Sequence, residues 1–180
     1  MDKPRREFMA ASGLALLGVV LGAPGRLQAR PLRRPSLDPG SAGVLGAAGD
    51  ILLPGAKAAG IDSYVGSQLS LPAHRQVLMI KYLLTPPFRN FYLAGLGALE
   101  AASLTRFRRP FARAGQMDAA QMMEDLRNDN LTGWSGPPQP LLHFVLRNDA
   151  LDVVYGTRAG FTHLGVPYMA HIEPPTDWPH

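Results

Sequence analysis

The chain is 180 residues long, with 18 basic and 14 acidic residues and no cysteine. The absence of thiols excludes a covalently attached c-type haem, an iron–sulfur cluster or a cysteine zinc site in this polypeptide. A formal net charge of only +4 is far from the charge excess of a nucleic-acid binder.

The start of the chain predicts export. Lys3, Arg5 and Arg6 make the first residues basic, and Phe8-Met9 follow the arginine pair and Glu7. A run rich in Ala, Gly and Leu extends from Met9 to Ala23, followed by Pro24-Gly25-Arg26 and then Leu27-Gln28-Ala29. A charged start, a short apolar middle and a small-residue end define a secretory leader. The paired arginines point to the twin-arginine (Tat) variety. The apolar run is shorter than the roughly 20 residues a membrane-spanning helix needs, and Gly13, Gly18 and Gly22 weaken it as a helix. An ordinary Sec leader and a retained anchor are the competing readings; the modest apolarity and Arg26 favour the twin-arginine route. Arg5, Arg6 and Phe8 are thus the expected export signal. Cleavage is expected after Ala29, although Leu27 is larger than the small residue preferred there.

The expected organisation is a signal peptide over 1–29, an extended linker over 30–40 and a single α-helical domain over 41–180. The leader holds four basic and two acidic residues, so the remainder carries fourteen and twelve, a net charge of +2. About 150 residues suffice for a hydrophobic core without disulfide staples. A periplasmic destination permits disulfides, but a cysteine-free chain does not depend on oxidation to fold.

Arg30 to Gly40, with Pro31, Pro35 and Pro39, reads as extended chain. From Ser41, the spacing of Val44, Leu45, Ala48, Ile51 and Leu52 predicts a first helix, stopped by Pro54-Gly55. A second is expected from about Ile61 to Leu71, with Tyr64, Val65 and Leu69 on one side. A third is expected over His74–Leu84, carrying Val77, Leu78, Ile80 and Leu84 and ended by Pro86-Pro87. Phe88 to Phe107 is the longest candidate, with a stripe of Phe88, Tyr92, Leu96 and Leu99 widened by Phe91 and Leu93. After a break near Arg109-Pro110, Met117-Asp118 opens another helix, with Asp118 as the expected N-cap and Met122, Met123 and Leu126 inside. Asn128 to Gln139 reads as loop, Leu141 to about Val154 as the last clear helix, and Tyr155 to His180 as irregular. No alternating run argues for a sheet. The fold class is therefore mainly α: a compact helical domain of about five to six helices with an irregular Gly/Pro/aromatic C-terminal tail.

Candidate chemistry is sparse. His74, His143, His163, His171 and His180 form no i, i+4 pair with a nearby glutamate, as a helical zinc hydrolase site would need. Gly133-Trp134-Ser135-Gly136 begins like a nucleophile elbow, but Pro137 replaces the second glycine and no strand leads in. Gly95-Leu96-Gly97 lies inside a predicted helix, where close helix packing explains it better than a dinucleotide fingerprint. Glu124-Asp125, and Asp149 with Asp152, flank Arg127 and Arg147 and read as solvated ion-pair faces. Arg106, Arg108, Arg109 and Arg113, with Phe107 and Phe111, form a basic patch at a helix end, either plainly solvated or touching lipid headgroups or an acidic partner. The tail aromatics Tyr155, Phe161, Tyr168 and Trp178 are candidates for a partner interface; capping the helical bundle is the equal alternative. No catalytic, cofactor-binding or metal-binding constellation emerges.

The order of short motifs resembles the gluconate 2-dehydrogenase subunit 3 family. They are Ile51-Leu52-Leu53-Pro54-Gly55-Ala56, Gly60-Ile61-Asp62-Ser63-Tyr64-Val65, Val154-Tyr155-Gly156-Thr157 and Leu164-Gly165-Val166-Pro167-Tyr168, then Pro174-Pro175 and Trp178, behind a twin-arginine leader. An adjacent Gly-Gly pair common in family tails is replaced by the separated Gly156 and Gly160. The resemblance implies a non-catalytic small subunit that stabilises a large flavoprotein of the glucose–methanol–choline (GMC) class and helps carry it through the Tat translocon. FAD, and haem c where a cytochrome c subunit joins, would then reside in the partner subunits and not in this chain. The implied location is the periplasm, on the outer face of the inner membrane. A stand-alone periplasmic protein binding a small ligand between its helices is the alternative, and an enzyme using His163, His171 and Tyr155 a third.

Overall fold

The computed structural model describes residues 37–167; Arg5, Arg6, Phe8, Ala29, Tyr168, His171, Trp178 and His180 lie outside them. The described residues form six α-helices and no strand: α1 Pro39–Leu52, α2 Ile61–Leu69, α3 Phe88–Phe107, α4 Gln116–Arg127, α5 Gln139–Tyr155 and α6 Arg158–Leu164.

Helix α1 begins at Pro39, two residues ahead of Ser41, because Asp38 caps it. The Asp38 carboxylate accepts from the Ser41 backbone N–H at 3.0 Å and from Ser41 Oγ at 2.6 Å, which holds its pKa below the ordinary range. Proline suits the first turn, where its missing N–H would have no partner. The helix is rich in Gly and Ala, and this narrowness lets it sit at the centre, against α2, α3, α4 and α5. At Gly49, a Cβ would stand 2.9 Å from Ile61 Cδ1, so a larger residue would push α2 away.

The Leu-Pro-Gly-Ala turn after α1 also has a physical origin. Asp50 Oδ1 accepts from the Gly55 and Lys57 N–H groups at 3.0 and 3.2 Å. Gly55 (φ 95°) and Gly60 (φ 79°) take left-handed conformations that cost glycine little. Ala56 is thereby tucked into the core and α2 starts directly after Gly60.

The expected helix over His74–Leu84 is absent. In its place are two short 3-10 turns, Ala73–Arg75 and Met79–Tyr82, with Leu78 and Ile80 buried between exposed Val77 and Tyr82. Prolines at 72 and 86–87 bracket thirteen residues, a length at which a helix is marginal unless it buries an apolar face. Side chains supply the missing backbone bonds: Gln76 Nε2 donates to the Leu71 carbonyl and Gln68 Oε1 accepts from the Val77 N–H, at 2.8 and 3.0 Å.

Helix α3 has the expected span. It buries Phe88, Tyr92, Leu96 and Leu99 together with Phe91 and Gly95. Leu142 of α5 lies directly on Gly95, where a Cβ would stand 2.6 Å from Leu142 Cδ1. Helix α4 starts at Gln116 with Gly115 at its cap. Asp118 is therefore not the N-cap but an acid of the first turn, where it faces the positive end of the helix dipole. Gln139 opens α5 and, although buried, is satisfied by accepting from the Leu131 N–H and donating to the Leu131 carbonyl, at 3.0 and 2.9 Å.

The chain beyond Tyr155 is not irregular at once. Thr157 Oγ1 caps α6 by accepting from the Gly160 N–H at 3.1 Å. Gly160 lets α6 fold back on α5, since a Cβ there would meet Tyr155 Cα at 2.5 Å. The separated Gly156 and Gly160 thus serve one turn between two helices.

Buried tyrosine–carboxylate pairs and the candidate partner surface

The two acids of α5 correct the expectation of a solvated ion-pair face. Asp149 and Asp152, one turn apart, point toward α3 and α2. The Tyr92 hydroxyl donates to Asp149 Oδ2 at 2.7 Å, and the Tyr64 hydroxyl donates to Asp152 Oδ2 at 3.2 Å. Tyr92, Tyr64 and Asp149 are all buried. Burial, with a smaller contribution from the Asp152 charge, pushes the Asp149 carboxyl up to about 8, against the lowering effect of Tyr92. Burial raises Asp152 as well, again opposed by its tyrosine. Both tyrosines are driven well above their ordinary value, first by burial and then by the neighbouring carboxylates. Asp149 Oδ1 has no hydrogen-bond partner, so nothing but the Tyr92 hydroxyl offsets the cost of burying the charged carboxylate. Charge in a low-dielectric interior is costly, and protonation removes that cost. The cluster pins α5 to α2 and α3, and its burial closes Asp149 and Tyr92 to a substrate.

The other acidic pair does lie on the surface. Glu124 pairs with Arg127 and accepts from Asn128, while Asp125 pairs with Arg106 at 2.6 Å. Arg106 also stacks over Phe107, 5.2 Å from the ring centre. Arg108, Arg109 and Arg113 are exposed. Phe111, however, is a core residue whose N–H donates to Glu100 Oε2 at 2.8 Å, so it does not belong to the basic patch.

Two of the surface hollows among the described residues can be placed. One, of about 440 Å³, lies between the second half of α3 (Ala98, Ala102, Arg106) and the Leu131–Ser135 loop. The other, of about 230 Å³, lies beside Ser41, Leu96 and Gly97. The Gly133–Gly136 segment is a turn, with Trp134 Nε1 donating to the Pro137 carbonyl at 2.6 Å. Among the described residues no group of three His, Asp or Glu side chains could hold a metal ion. His143 has its pKa lowered by burial and then by Arg127 and Arg147.

Of the expected interface residues, Tyr155 ends α5 and Phe161 lies on α6, both half-buried. Tyr155 stacks on His163, ring centres 6.3 Å apart, which makes part of that aromatic set internal to the α5–α6 corner. Tyr168 and Trp178 fall outside the described residues. Leu164 and Val166 near the end of α6 are exposed, as is Met117 on α4. In the segment between α2 and α3, Val77, Tyr82, Leu83 and Leu84 are also exposed, Tyr82 to 75 %. The helical spacing over 74–84 groups Val77 and Leu84 with Leu78 and Ile80, of which only Leu78 and Ile80 are buried. No helix among the described residues is long and apolar enough to cross a membrane.

The sequence profile described as gluconate 2-dehydrogenase subunit 3 matches residues 41–171, from the first turn of α1 to beyond α6. No curated protein and no solved structure matches the chain. The matched region takes in the capped Leu-Pro-Gly-Ala turn, the glycine start of α2 and the α5–α6 corner, and on that match the chain belongs to the gluconate 2-dehydrogenase subunit 3 family.

Proposed function

We propose that this chain is the non-catalytic small subunit of an FAD-dependent sugar or alcohol dehydrogenase complex. The single observation that carries the reading is the family match across nearly all of the described residues. The location of the acids supports it: among the described residues a carboxyl–tyrosine cluster ties α5 to α2 and α3, with Asp149 and Tyr92 buried in it. In this account the chain stabilises a GMC-type flavoprotein, which holds the FAD and oxidises the substrate. A cytochrome c subunit, where it joins, carries the haem and passes electrons onward.

Arg5, Arg6 and Phe8 supply the export signal in this reading, with residues 1–29 removed after Ala29. The folded small subunit brings its partner through the Tat translocon, and the complex works in the periplasm at the outer face of the inner membrane. The hollow beside Ala98 and Leu131 favours a second reading, a stand-alone periplasmic protein that binds a small ligand. A tagged full chain, drawn gently from native membranes and periplasm, separates the two. The accessory reading predicts a stoichiometric large partner with a flavin absorbance spectrum; a colourless monomer would overturn it in favour of ligand binding.

A further inference from the structure

The larger hollow, of about 440 Å³, falls in the size range of small-molecule sites, against about 30 Å³ for one water in the liquid. Ala98, Ala101 and Ala102 of α3 give it a floor of small apolar side chains, to which Leu131 adds. The rest of its lining is largely polar. The Thr105, Thr132 and Ser135 hydroxyls and the Asn130 amide belong to residues of the same lining, and none of these side chains is hydrogen-bonded to another described residue. Among the lining residues Arg106 alone is charged.

Both walls are fixed before anything enters. Arg106 Nη1 donates to Asp125 Oδ2 at 2.6 Å, Gln121 Nε2 donates to Asp125 Oδ1 at 3.0 Å, and the guanidinium carbon lies over the Phe107 ring. A guanidinium carries five N–H donors, so the bond to Asp125 orients Arg106 and leaves other donors for a ligand. Across the hollow, the Asn130 N–H donates to the Asp125 carbonyl at 2.8 Å, and the buried Gln139 amide takes both backbone groups of Leu131. Gly136 closes the far end of the loop onto α3, since a Cβ there would stand 2.9 Å from Ala98 Cβ. A site held this way loses little conformational freedom when it is filled. Arg108 and Arg109 follow at the end of α3, exposed and with no ion-pair partner among the described residues, so this end of the helix stays positive after Asp125 is counted.

We propose that this hollow binds a small organic phosphate, with Arg106 and the four uncharged polar side chains serving its oxygens and the alanines receiving its carbon skeleton. Arg106, three hydroxyls and an amide match the three strong acceptor oxygens of a phosphate ester better than the two of a carboxylate. Two sources carry this chemistry, a free phosphate ester of a short alcohol and the headgroup of a glycerophospholipid. The site is built by this chain alone, so it goes beyond the accessory-subunit reading and does not rest on it.

The test titrates the full chain with glycerol 3-phosphate by calorimetry, with glycerol and inorganic phosphate as comparisons, and follows its co-sedimentation with phosphatidylglycerol or phosphatidylcholine vesicles. The proposal predicts one saturable site for glycerol 3-phosphate, weaker binding of inorganic phosphate and none of glycerol. Arg106→Gln should raise the Kd by about tenfold or more, as loss of a charged hydrogen-bond donor does. Ala101→Leu, which fills the hollow from an exposed helix position and keeps every charge, should weaken binding as strongly while the free chain keeps its melting temperature. Arg113→Gln removes an exposed cation outside the lining and should leave binding unchanged at physiological salt. Saturable binding of the free ester assigns a soluble ligand; binding to phosphatidylglycerol vesicles alone, lost in Arg106→Gln and Ala101→Leu, assigns a headgroup. If neither the ester nor the vesicles bind, or if those two variants bind like the wild type, the proposal is overturned and the accessory reading stands. If Arg113→Gln weakens binding as much as Arg106→Gln, the attraction is diffuse surface charge and the proposal is likewise overturned.

Discussion

Helix α5 and the segment just before α3 treat charge in opposite ways. Helix α5 turns its two acids inward, where Tyr92 and Tyr64 donate to them and burial favours the protonated form. The segment over residues 71–87 has no acid at all; it buries Leu78 and Ile80 but leaves Val77, Tyr82, Leu83 and Leu84 outside. A buried carboxyl is tolerable when it is hydrogen-bonded and can hold a proton. An exposed apolar strip is costly only until something covers it. The first arrangement fixes the fold, and the second leaves a surface for use.

The contrast is broken most severely at the interior contacts. Gly95→Val should cost about 3 kcal/mol by overpacking, because its side chain would overlap Leu142; chemical denaturation measures this. Asp149→Ala leaves the Tyr92 hydroxyl buried without its acceptor and should cost about 1–3 kcal/mol, whereas Asp149→Asn, which keeps an acceptor, should cost less.

The pH dependence sharpens the same point. Asp149 is raised in the folded state from 3.8 to about 8, so between those values the native protein binds a proton that the unfolded chain has lost. Its contribution is present in full below the lower value and is lost as pH rises through the upper one. Denaturation midpoints should therefore fall across that window, and more shallowly in Asp149→Asn. The smallest effects belong to the surface. Tyr82→Glu should change stability by less than about 0.5 kcal/mol, since Tyr82 is exposed, and Arg127→Ala should leave the melting temperature unchanged, since its ion pair with Glu124 is exposed.

Much of the fold is legible in the sequence because its signals are local. The apolar stripe from Phe88 to Phe107 coincides with α3, and the Pro54-Gly55 stop coincides with the end of α1. The errors arose where a distant partner decides the outcome. Asp149 and Asp152 beside Arg147 look like a solvated face, since nothing local shows that hydroxyls 57 and 88 residues away complete them. Those hydroxyls belong to Tyr92 and Tyr64, which periodicity counts simply as apolar. The residues from His74 to Leu84 carry helix-like spacing, yet Gln68 and Gln76 stabilise an alternative backbone. Gly156, Gly160 and Gly165 suggest loop where α6 forms, although Thr157 three residues before Gly160 is a readable cap. The exposure of Val77, Tyr82, Leu83 and Leu84 is illegible for a related reason: apolar spacing shows which residues could share a face, not whether the domain has room to cover it.

The most direct test of the account is the thermal stability of the flavoprotein subunit, followed by its flavin fluorescence, with and without this chain. The account predicts a higher melting temperature when the small subunit is present, with the gain rising with its concentration as mass action requires. A melting temperature that stays the same at saturating small subunit would contradict the stabilising role.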